Sequence, residues 1–160
     1  MQSKSSVPWG RVAIQAIAAG IAGAILIDAF LWLATIVPQG GSILTLWQWV
    51  ASTAFGKGAL TNPAFAWVGL ALHVGVSVGW AAGYAYLAAT RPFLNARWPI
   101  SGFVYGIVVY LLMQIVLLAD GNFALPGSVS AVAIALVAHC FFFGIPVALV
   151  VRLTQERSSA

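Results

Sequence analysis

The amino-acid sequence predicts an all-α integral membrane protein: a bundle of four transmembrane helices with a short interfacial helix between the first and second spans. Three observations carry this reading. Hydrophobic residues fill 62% of the 160 positions and charged residues only 6%, against roughly a quarter charged in a soluble domain. Four apolar runs, Val12–Val37, Ala64–Ala89, Pro99–Ala119 and Val129–Val151, are each long enough to cross hydrocarbon, which takes about 20 residues. Little chain is left outside them, so residues 1–160 read as a single membrane domain.

The first run is too long for the core of a cleavable signal and carries Asp28 in its middle, which fits a retained span. The connection that follows is not loop-like. After Gly40-Gly41 and Ser42 as a candidate cap, Ile43, Leu46, Trp47, Val50, Ala51 and Ala54 recur at helical spacing. This predicts a helix over about 43–56 lying on the outer surface, with Trp47 and Trp49 among the headgroups; a re-entrant segment is the alternative. Asn62-Pro63 marks the start of the second span and Arg91-Pro92 its end, and Asp120-Gly121-Asn122 turns the chain after the third.

Charge sets the expected orientation. Lys4, Arg11, Arg91, Arg97, Arg152 and Arg157 flank the termini and the second connection, and only Lys57 falls on the opposite side. Basic residues stay on the cytoplasmic side, so both termini are expected there, in a bacterial inner membrane. Scattered at the ends of apolar runs, these cations form no phosphate-binding patch, and nucleic acid is not an expected partner.

An ionisable group inside hydrocarbon costs several kcal/mol, so Asp28, His73 and His139 each call for a partner. At a rise of about 1.5 Å per residue, Asp28, His73, Tyr110 and His139 all lie roughly 14–16 Å from the outer ends of their spans. One residue from each helix therefore reaches a shared level near the midplane, and Gln114, one turn beyond Tyr110, extends the set. Small residues accompany them. Gly20 opens a ridge through Ala24, Asp28 and Trp32, Gly102 and Gly106 open one through Tyr110 and Gln114, and Gly75, Gly79 and Gly83 line the second span opposite His73. The recurrence of a small ridge with a polar group, followed by a helix with one histidine, suggests two related hairpins.

Several chemistries fit that set. Two histidines from different helices are the arrangement that holds a haem b iron between axial imidazoles, with His73 and His139 as ligands. Adding Asp28 gives a two-nitrogen, one-carboxylate metal set, although no short ligand spacing supports it. A proton or small-solute pathway through Asp28 is a third reading, and a hydrogen-bonded network that only fixes helix packing is the fourth. Enzyme motifs are absent: there is no phosphate-cradling glycine loop, nucleophile elbow or His-Glu-x-x-His, and the chain has only three acidic residues. With a single cysteine, Cys140, there is no internal dithiol chemistry. The expectation is a non-enzymatic accessory or structural subunit of a larger membrane assembly, whose partners are the lipid bilayer and other membrane subunits or further copies of itself.

Overall fold

A computed structural model describes residues 7–121 and 128–156. Lys4, Asn122 and Arg157 lie outside the described residues. Among the described residues all regular structure is helical, and four helices are long and apolar enough to cross a membrane: Trp9–Gln39, Ala64–Thr90, Trp98–Ala119 and Val129–Glu156.

The first span is α1 (Trp9–Leu31), which widens into a π-helical turn over Trp32–Ile36 and closes on a 3₁₀ turn at Val37–Gln39. Gly40 then takes a left-handed conformation at φ 73°, which an unbranched backbone adopts without strain. Helix α2 (Ile43–Phe55) follows; Ser42 occupies its N-cap position with extended backbone but makes no side-chain cap. Helix α3 (Ala64–Thr90) starts where Asn62 Oδ1 accepts from the Ala64 N–H at 3.0 Å. It stops just before Arg91-Pro92, as the sequence signals indicate.

A single turn, α4 (Phe93–Ala96), leads into α5 (Trp98–Asp120), which ends at Gly121 with φ 75°. The fourth span begins as α6 (Val129–Val137), capped by Ser128 Oγ accepting from the Ala131 N–H at 3.2 Å. It passes through a second π-helical segment, Ala138–Gly144, and continues as α7 (Ile145–Glu156). The helices run about five residues past the apolar core here, because a helix does not end where hydrocarbon does.

Small residues decide which spans touch most closely. A side chain at Gly20 would meet Val78 Cα at 2.5 Å, so α1 packs directly on α3. The third and fourth spans interlock through three glycines. A Cβ added at Gly102 would lie 2.7 Å from the Gly144 carbonyl oxygen, one at Gly106 would meet the His139 carbonyl, and one at Gly144 would meet the backbone of both Gly102 and Gly106. Between α3 and α5 the approach is looser and longer side chains bridge it. Tyr105 donates to the Trp80 carbonyl at 2.5 Å, Tyr84 and Ser101 share a hydrogen bond of 2.8 Å, and Trp80 Nε1 lies 3.3 Å from Met113 Sδ.

Glycines at helical spacing thus play two opposite roles. Gly20, Gly102 and Gly106 sit against neighbouring backbone, whereas a Cβ added at Gly75 or Gly79 meets nothing within 4 Å, and both positions are exposed. Gly83 is exposed too, with only the Tyr105 hydroxyl at 3.1 Å from such an atom. Among the described residues nothing covers Gly75 and Gly79 on this ridge of α3.

Candidate functional site

Asp28 lies on the buried face of α1, only 7% exposed. Its Oδ1 is 3.2 Å from His73 Nε2 on α3, a close polar pairing without hydrogen-bond alignment, since neither atom has an aligned partner among the described residues. Its Oδ2 accepts from the indole N–H of Trp47 on α2 at 3.0 Å. The carboxyl group therefore joins three helices.

Trp47, expected at the headgroup level, turns its indole N–H to the Asp28 carboxyl. The docking of α2 explains why. Gly69 on α3 presents bare backbone to the Trp47 carbonyl, and no side chain could stand there. Ala51 and Ala66 are fully buried beside this crossing, and Phe55 packs edge-on against Phe65 at 5.4 Å. Helix α2 thus crosses the N-terminal part of α3 and covers Asp28. The one sequence signal for this was Gly69, one helical turn before His73 on the same stripe of α3.

The remaining members of the expected cluster gather separately. Tyr110 meets the His139 ring edge-on, with centroids 5.5 Å apart. His139 Nδ1 lies 2.7 Å from the Ala135 carbonyl one turn earlier on its own helix. Gln114 joins neither pair, and its buried Oε1 has no partner among the described residues. Sequence reasoning placed four of them at one depth, with Gln114 one turn beyond, but could not tell which ones face each other. Rotation about each helix axis, not depth, divides them into Asp28–His73–Trp47 and Tyr110–His139.

Between the two groups lies a cavity of about 70 Å³, lined by His73 and His139 with Ile27, Ser77, Val109 and Phe143. It has room for a few water molecules at roughly 30 Å³ each. A haem lies far outside that size, since pockets for ligands of even modest size run to roughly 300–1,000 Å³. His73 Nε2, the atom that would bind iron, is also turned to Asp28. The residues as packed do not fit a haem between His73 and His139. The purified protein is accordingly expected to show no Soret absorption; a Soret band lost in both His73→Ala and His139→Ala would require a different packing of these helices. Nor does any group of three or more His, Cys, Asp or Glu side chains among the described residues converge closely enough to hold a metal ion.

Four apolar helices locked by buried polar contacts define the chain as a multi-pass helical membrane protein. No protein-family model matches the sequence, and neither a curated protein nor a solved structure matches the chain.

Proposed function

We propose that the protein is a non-enzymatic subunit of a membrane assembly, held against another transmembrane helix through the ridge Gly75, Gly79 and Gly83. In this reading it sits in a bacterial inner membrane with both termini cytoplasmic, and α2 covers the polar centre from the outer side. The observation that carries it is the open space at Gly75 and Gly79. Within hydrocarbon no hydrophobic force separates helix faces from lipid, so close association depends on small residues that let backbones approach. Three exposed glycines at intervals of four on one helix supply such a face. The polar centre is consistent with an internal fastening: Asp28 is engaged by two helices, and the adjoining void is too small for a substrate of any size.

The same open space makes the test clean. Gly75→Leu/Gly79→Leu adds side chains into unfilled space, so the thermal midpoint in detergent is expected to stay within a few degrees of the parent chain. Co-purification of partner subunits in mild detergent, or of a second copy of the chain, is expected to fall at least tenfold. A parent chain that purifies as a monomer without companions would remove this reading, as would a double variant that keeps the same companions.

A further inference from the structure

The cavity of about 70 Å³ between the two polar groups is small, yet four of the side chains around it share one chemical character. Besides His73 and His139, its wall includes Trp80 on α3 and Met113 on α5. Two imidazoles, a thioether and an indole face, drawn from three of the four spans, make a soft set of ligands. At roughly 30 Å³ per water molecule, the space suits one ion stripped of its hydration shell. The third donor is a sulfur, so no trio of His, Cys, Asp or Glu is required.

Each donor is held from behind. The Asp28 carboxylate, 3.2 Å from His73 Nε2, draws the ring proton to that nitrogen and leaves Nδ1 with its lone pair. His139 Nδ1 lies 2.7 Å from the Ala135 carbonyl, which can only accept, so Nε2 keeps the lone pair of that ring. A carboxylate or a backbone carbonyl behind the ring is the usual support of a metal-bound histidine. Of the ring nitrogens without a hydrogen bond among the described residues, only His73 Nε2 is sealed from water; His73 Nδ1 and His139 Nε2 are reachable. Trp80 Nε1 donates to Met113 Sδ at 3.3 Å, which fixes the thioether beside the indole and leaves its second lone pair. His139 also stands in the π-helical segment Ala138–Gly144, a distortion that recurs at functional sites.

Asp28 sets the charge of the guest. It is the one acidic residue inside the four apolar runs, and no lysine or arginine pairs with it among the described residues. A single positive charge one imidazole away balances it. A divalent ion would leave net charge in hydrocarbon, at a solvation cost that rises with the square of that charge. Among metal ions, thioether and imidazole together favour copper(I), and an indole face attracts a cation. We propose that this cavity binds copper(I) through His73 Nδ1, His139 Nε2 and Met113 Sδ, with the Trp80 indole against the ion. The chain then carries a metal in addition to holding a partner helix.

Competition between the full chain in detergent and bicinchoninate, with copper(I) kept reduced by ascorbate under nitrogen, tests this directly. The parent chain is expected to retain one equivalent of copper(I), and X-ray absorption at the copper edge to show one sulfur and two nitrogen neighbours. That spectrum decides the ligand set even if a variant fails to fold. Met113→Leu conserves volume, and His139→Phe keeps a ring against Tyr110. Each should weaken retention by at least about tenfold, since loss of a merely supporting residue already costs a metal site about 10–100-fold. Zinc(II), a poorer match to a thioether, should be held at least about a hundredfold more weakly than copper(I). Cys140 is the other soft donor near His139, and Cys140→Ala is expected to bind as the parent does. Copper(I) not retained, a shell without sulfur, undiminished retention in Met113→Leu, zinc held as tightly as copper, or copper lost in Cys140→Ala would each overturn the assignment.

Discussion

Gly106→Val is expected to destabilise the protein by about 3 kcal/mol, the upper end of the usual cost of forcing extra atoms into a packed interior. The reason is that the first added carbon lands on the backbone of the fourth span, at the His139 carbonyl and 2.6 Å from Cys140 Cα. Backbone cannot step aside as a flexible side chain can, and Gly102 and Gly144 hold the same crossing from both sides. The change is therefore expected to separate α5 from the fourth span locally. Gly79→Val is the internal control, because the same substitution on the same type of residue meets open space. Unfolding in graded mixtures of mild and denaturing detergent measures both. Similar losses for the two variants would mean that valine's helix preference, and not the crossing, sets the result.

Asp28→Leu is expected to release α2. The substitution removes the acceptor of the Trp47 N–H and the partner of His73 in one step, and an unmatched buried donor costs about 1–3 kcal/mol. Amide hydrogen exchange across residues 43–55 should quicken at least tenfold, with little change in α1 or α5, since local opening follows local contacts. A double-mutant cycle with Trp47→Phe isolates the bond itself, with an expected coupling of about 0.6–1.7 kcal/mol, the measured range for polar contacts between membrane helices. Protection of α2 that survives in Asp28→Leu would assign its docking to the Gly69 crossing alone.

The four spans were legible from residue type because hydropathy over about 20 residues is a property of composition and needs no knowledge of neighbours. Helix ends were legible where backbone chemistry is local, as at Asn62, the Arg91-Pro92 stop and Gly121. The common depth of Asp28 and His73 followed from helical rise, and the two do meet. What distance along a helix cannot give is rotation about its axis. That is why Tyr110 and His139 pair apart from Asp28, and why Gln114 stands outside both groups.

Trp47 shows a second limit. Tryptophan after an apolar span reads equally well as a headgroup anchor and as a buried donor, and the choice rests on Gly69, more than twenty positions later in the chain. The glycines carry the same lesson, since Gly79 and Gly106 are alike in sequence context yet one is open and the other closed over by backbone. Nothing in the local pattern placed Met113 and Trp80 on one cavity with His73 and His139, since its walls come from four separate helices.

The π-helical segment Ala138–Gly144 makes the second half of the molecule unusually sensitive to length. A π turn accommodates one residue more than an α turn, and each residue added to or taken from an α-helix rotates everything beyond it by about 100°. Val147, Ala148 and Val151, all fully buried, reach the interior only because that extra residue has been absorbed upstream. The carbonyl that receives the Gln15 amide belongs to Val151, so this buried contact between the first and fourth spans depends on a wide turn more than one helical turn away. Deleting one residue between 138 and 144 would let the wide turn close to a plain α turn with the same stripe still facing inward, whereas deleting one from the α-helical stretch that follows would turn a different stripe of the fourth helix toward its neighbours. Changes of length in the α-helical parts of the fourth span are therefore constrained by rotation, a limit that counting apolar residues does not register.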